Sequence, residues 1–82
     1  MINPIKSHKF DEKADAIYIT LSDNPVSYTK NIDETRVIDY DKKHNPVGIE
    51  LLCVSDGVII SDLPYADEVS RLLVDLHIKE YA

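Results

Sequence analysis

From Phe10 to Leu21 and from Arg36 to Leu52, apolar residues alternate with polar ones, and clusters of turn-forming residues separate the runs. A period of two marks strands with one dry face and one wet face, because successive side chains leave a strand on opposite sides. Ala16 to Leu21 and Val26 to Ile32 read as a hairpin closed by Ser22-Asp23-Asn24-Pro25. In that register Leu21 faces Val26, Ile19 faces Tyr28 and Ile17 faces Lys30. Arg36 to Asp41 returns through Lys42-Lys43-His44-Asn45 into Pro46 to Leu52, which pairs Tyr40 with Val47 and Ile38 with Ile49. Asp39, Gly48 and Glu50 then share the opposite side. Keeping Tyr28 and Ile38 on one face requires a three-residue turn, Asp33-Glu34-Thr35. Such loops place their last residue at positive φ, which strains a β-branched residue such as Thr35. Asp56-Gly57, between Val54-Ser55 and Val58-Ile59-Ile60, signals one more short hairpin.

After about Tyr65 the period changes. Val69, Leu72, Leu73 and Leu76 recur at helical spacing while Ser70, Arg71, Asp75 and Lys79 stay off the stripe. Asp67 and Glu68 near the start and His77 and Lys79 near the end suit the helix dipole. The pattern therefore predicts an α+β fold, an antiparallel β-meander of about five strands over residues 5–60 with one C-terminal helix over 65–81 packed on its apolar face. That face comprises Ile17, Ile19, Leu21, Val26, Tyr28, Ile38, Val47 and Ile49. Val74, Ile78 and Tyr81 project from the other side of the helix, and Leu52, Val54 and Ile59 lie near the sheet end. These six form the expected interface, most economically with a second copy of the chain.

Length limits the chain to a single domain over residues 1–82, because 82 residues cannot support two cores, and a domain this small gains from oligomerisation. The net charge of -6 disfavours nucleic acid and anionic membranes as partners, and favours a basic protein. No run approaches the roughly 20 apolar residues that span a bilayer, and the start Met1 to His8 has no signal-like apolar stretch. A single cysteine, Cys53, cannot form an internal disulfide, so a reducing, cytoplasmic location is expected.

The register lines Tyr18, Thr29, Asp39 and Gly48 across the polar face, with Glu50 and Asp41 nearby. Tyr18, Asp39 and Glu50 are therefore the candidate ligand-binding residues for a small polar ligand or a divalent cation. Strand carboxylates on an open face point in parallel into water rather than converging on an ion, so a solvated surface is the favoured explanation. Asp11, Glu12 and Asp15 lack the spacing of a calcium loop and read as residues whose carboxylates fix a bend through nearby backbone amides. His8, His44 and His77 have no second ligand at zinc spacing, and Cys53 within Leu51-Leu52-Cys53-Val54 reads as a buried thiol. With two glycines there is no phosphate-cradling loop. No catalytic residue, metal site or cofactor is expected, and the chain does not read as an enzyme.

The segments Asp11, Ala14-Asp15-Ala16, Tyr18-Ile19, Asp39-Tyr40-Asp41 and Val47-Gly48-Ile49-Glu50 together resemble the small, mostly prokaryotic domain-of-unknown-function family 2283, over residues 8–52. In that family the first turn often reads Asp-Pro-Glu-Ala-Asp, where this chain has Glu12 and Lys13 at the Pro and Glu positions, and a Gly often stands in place of Thr35. The resemblance implies a compact domain with no firmly attached activity. It also implies, through relatives encoded beside small toxin-like proteins, an antitoxin-like role. The expected function is thus a noncatalytic protein-interaction domain, self-associating as a homodimer and able to bind a basic partner, with small-ligand or cation binding on the polar sheet face as the alternative.

Overall fold

The computed structural model describes residues 3–82. It contains β1 (Ser7–Asp11), β2 (Ala16–Thr20), β3 (Tyr28–Asn31), β4 (Arg36–Tyr40), β5 (Pro46–Leu52), a 3-10 turn (Val54–Asp56), β6 (Val58–Ile59), α1 (Ala66–Asp75) and β7 (Glu80–Tyr81). The first five strands form an antiparallel sheet in the order β1-β2-β5-β4-β3, giving the α+β class expected from the sequence.

The order is not a simple meander. β5 lies between β2 and β4, so the pairs Leu21 with Val26, Ile19 with Tyr28 and Ile17 with Lys30 do not form. Ile17 pairs with Leu51 and Ile19 with Ile49 instead. The reason lies in the composition of the competing strands. β5 buries Val47, Gly48, Ile49 and Leu51 and gains from a neighbour on each side, whereas every residue of β3 is exposed and suits an edge. Val26 and Tyr28, expected in the core, are accordingly 52% and 39% exposed.

Parity survives the change of neighbour. Ile19, Ile49 and Ile38 form one row across three strands, and Tyr18, Glu50 and Val37 form a row on the opposite face. Ile38 pairs with Ile49 as expected, while an irregularity between Asp39 and Tyr40 sets Tyr40 against Pro46 rather than Val47. Ile32 donates to the Arg36 carbonyl at 2.8 Å, which closes the three-residue turn over 33–35. Thr35 is not at positive φ, because the Asp33 carboxylate accepts both its backbone N–H and its hydroxyl and holds an Asx-type turn.

Ile17, Ile19, Leu21, Ile49 and Leu51 of the sheet share one buried cluster with Val54, Val58, Leu63, Val69, Leu73 and Ile78, and Leu72 and Leu76 sit half-buried against it. Each fully buried aliphatic side chain contributes about 1.5–3 kcal/mol. The Asp56-Gly57 hairpin does not form. Val54–Asp56 coils into a 3-10 turn, and Val58–Ile59 runs parallel to Glu80–Tyr81. Gly57 has φ 94°, and the Tyr81 ring occupies the space its Cβ would need, so both conformation and packing call for glycine there.

The helix stops at Asp75 rather than continuing to Tyr81. His77 adopts φ 59°, its N–H reaches the Val74 carbonyl, and the Ile78 N–H reaches the Leu73 carbonyl at 2.8 Å. This is a Schellman motif, with Ile78 and Leu73 supplying its apolar contact inside the core. The motif turns the chain into β7 and carries Ile78 inward, where it is only 9% exposed.

Arg36 has the parity of the core row and is itself buried. Its guanidinium donates to the Ile59 and Ser61 carbonyls at 2.9 and 2.6 Å and pairs with Asp33 at 2.9 Å. The Arg36 hydrogen bond holds the Asp33 carboxyl below its ordinary range. A charge that would be costly if unpaired therefore pins the segment leading to α1 onto the sheet.

Placing a non-glycine residue in the left-handed region costs roughly 1 kcal/mol. His77→Gly should therefore raise the unfolding free energy by about 0.5–1 kcal/mol in a urea titration, with an unchanged m-value. A loss of stability would show that the His77 side chain makes a larger contribution than its backbone strain.

Candidate functional site

The polar face gathers the predicted residues by register. Tyr18 of β2 lies opposite Glu50 of β5, and Asp39 of β4 lies opposite both Gly48 of β5 and Thr29 of β3. The Tyr18 side chain crosses β5 over Gly48, where any Cβ would collide with the phenol, and its hydroxyl donates to Asp39 Oδ2 at 2.7 Å. Thr29 donates to Asp39 Oδ1 at 2.6 Å. The bare backbone at Gly48 thus lets two strands on either side of β5 join through side chains.

Burial pushes the Tyr18 phenol up to about 12, with further contributions from its hydrogen bond to Asp39 and the negative charges of Asp39 and Glu50. At neutral pH the phenol is therefore protonated and donates to Asp39. Both oxygens of Asp39 already accept a hydroxyl. Among the described residues, no group of three or more His, Cys, Asp or Glu side chains is placed to hold a metal ion. The two hydroxyl bonds to Asp39 fasten β2, β4 and β3 together across this face.

A second polar cluster forms where the loop after β2 meets the β4–β5 turn. Asp41 is buried and accepts from the backbone amides of Lys43 and Asn45, both at 2.9 Å, and from the Asn24 side chain at 3.2 Å. The Asn45 backbone bond leads the effects that lower its pKa. Beside it, Tyr28 stacks on Tyr40 with centroids 5.1 Å apart and meets His44 Nδ1 through its hydroxyl at 2.9 Å.

Asp11 accepts the Ala14 amide at 3.1 Å and fixes the first turn as expected. Asp15 acts at longer range. Its carboxylate takes the Ser55 amide and hydroxyl, and its carbonyl takes the Val54 amide, which ties the β1–β2 turn to the end of β5. Cys53, expected to be buried, is exposed, since its left-handed φ of 53° turns the chain out of β5. His8, His44 and His77 fall on β1, the β4–β5 turn and the helix C-terminus, so they share no site.

The predicted interface divides in two. Val54 and Ile78 are withdrawn into the core, Val54 by the turn at Cys53 and Ile78 by the Schellman motif. Leu52 is half-buried, while Ile59, Val74 and Tyr81 are exposed. Ile59 and Tyr81 are register partners across the β6–β7 pair, and the Lys79 ammonium lies 5.2 Å from the Tyr81 ring centroid. Sequence reasoning did not identify the Arg36 anchor or the Asp15–Ser55 tie. A cation at a core-parity position was the available sign of the first. The second joins residues far apart in sequence and left no local signal.

The family model described as protein of unknown function (DUF2283) matches residues 8–55, so the chain belongs to that family. No curated protein and no solved structure matches the chain significantly. No helix of the described residues is long and apolar enough to cross a membrane.

Because the folded phenol ionises near 12 and the unfolded one near 10, the Tyr18 contribution to stability is intact below pH 10 and is lost as pH rises from 10 to about 12. Tyrosinate absorbance should show a late-titrating phenol, Tyr18, that Asp39→Asn brings down. A Tyr18 titration unchanged by that substitution would contradict the network.

Proposed function

We propose that this member of the family is a noncatalytic protein-interaction domain that self-associates through the outward face of the β6–β7 pair. The adjacent exposure of Ile59 and Tyr81, at 44% each, carries this reading. Val58, on the inner side of the same pair, lies in the core, so the outer side is a firm apolar platform rather than a fraying end. Tyrosine is enriched at interface centres, and the neighbouring Ile59 adds apolar area beside it. The polar face supports small-ligand or cation binding less well, because its phenol and carboxylate already satisfy each other.

The net charge of -6 shapes both kinds of association. Two copies repel at long range, so contact depends on short-range apolar burial and strengthens as salt screens the repulsion. A basic protein is attracted instead, which fits an antitoxin-like role. The exposed lone thiol of Cys53 suits a reducing, cytoplasmic setting in which copies do not become disulfide-linked.

Sedimentation equilibrium should show a reversible dimer whose population rises with ionic strength. The double substitution Ile59→Asp with Tyr81→Ser should give a folded monomer. A monomer for the unsubstituted protein at high micromolar concentration in high salt would contradict self-association, as would a dimer unaffected by the double substitution.

A further inference from the structure

The open edge at β1 borders a groove that the self-association surface does not use. Ile17 and Ile19 pair with β5, and Leu21 donates to the Val47 carbonyl at 2.9 Å, so the intervening residues of β2 direct their main chain toward β1. In β1 this turns Ser7, Lys9 and Asp11 toward β2 and leaves the N–H and C=O groups of His8 and Phe10 facing outward. Beside His8 lies a groove of about 460 Å³ between the chain entering β1 and one face of α1. Glu68, Arg71, Leu72 and Asp75 line its helical wall at successive turns.

The dimensions fit an extended chain. Glu68 to Asp75 rises about 10 Å along the helix, which matches about three residues of strand. Ile5 and Leu72, both half-buried against the core, offer an apolar floor. Lys6 is engaged by Asp23, so the wall sets two carboxylates, Glu68 and Asp75, against the single guanidinium of Arg71, in a chain already carrying -6. An occupant that is apolar at one position and cationic two residues away, on the same side, matches both the floor and the charge.

We infer that the β1 edge and α1 together receive an extended, basic segment of a partner protein as a sixth strand. Main-chain bonds to His8 and Phe10 supply attachment, one apolar side chain rests over Ile5 and Leu72, and a Lys or Arg meets Asp75 or Glu68. This names the partner class for the interaction reading and rests on the domain being a binding module. It does not require self-association.

The test uses the full chain carrying Ile59→Asp and Tyr81→Ser, so that loss of self-association cannot be mistaken for loss of peptide binding, and is repeated on the unsubstituted chain. The probe is a fluorescent Thr-Lys-Thr-Val-Thr-Lys-Thr peptide followed by anisotropy, with amide shifts of the nitrogen-15 labelled protein. Saturable binding should shift His8 and Phe10, weaken about threefold or more with Asp75→Lys, and disappear with a backbone N-methylated peptide. His8→Pro should also abolish binding, since it removes an outward N–H that β2 does not use. The N-methylated peptide on the unsubstituted edge gives the same answer if that variant fails to fold. No saturation by about 1 mM, equal binding of the Thr-Glu-Thr-Val-Thr-Glu-Thr peptide, or shifts confined to other surfaces would overturn the inference.

Discussion

The insertion of β5 between β2 and β4 is the constraint from which the rest of the structure follows. It places Ile49 between Ile19 and Ile38 and Leu51 between Ile17 and Arg36, and so builds the apolar face from three strands at once. A strand this apolar cannot lie at an edge without exposing side chains and main chain together. The most polar strand, β3, takes the edge instead.

Because β5 is central, its single glycine becomes a crossing point. Tyr18 and Asp39 lie on strands that never pair with each other, yet they meet over Gly48. Residues that stand together on the polar face are therefore hydrogen-bonded to one another across β5. On the other face, Arg36 holds the carbonyls of Ile59 and Ser61, and Asp15 holds Ser55. The part of the chain beyond the family match, after residue 55, is joined to the sheet by the Arg36 contacts as well as by Val58, Leu63, Val69, Leu73 and Ile78. Outside this framework, Ile59 and Tyr81 on the outer side of β6–β7 stay exposed, and β1 and β3 form the two edges of the sheet.

The face of each strand residue was legible because parity depends only on alternation. Ile17, Ile19, Ile38 and Ile49 fall on the core side whichever strands are neighbours, and so do the polar positions Tyr18, Asp39 and Glu50 on theirs. Neighbour order was not legible, because Ser22-Asp23-Asn24-Pro25 is an acceptable turn locally and only the burial of β5 argues against it. The helix end was misplaced for a similar reason. His77 is neither Gly nor Asn, so the Schellman motif carries no composition signal, and Ile78 continues a helical stripe while serving as the motif's apolar contact. Val54 likewise follows a strand pattern that the left-handed Cys53 interrupts.

The order of strands can be read directly from Hα–Hα contacts, which are shortest at the non-hydrogen-bonded pairs of an antiparallel ladder. Two-dimensional nuclear Overhauser spectra should connect Tyr18 with Glu50 and Thr20 with Gly48, placing β5 against β2. Cross-peaks joining the Ile19 and Tyr28 backbones, with none between Tyr18 and Glu50, would show β3 against β2 and contradict the account.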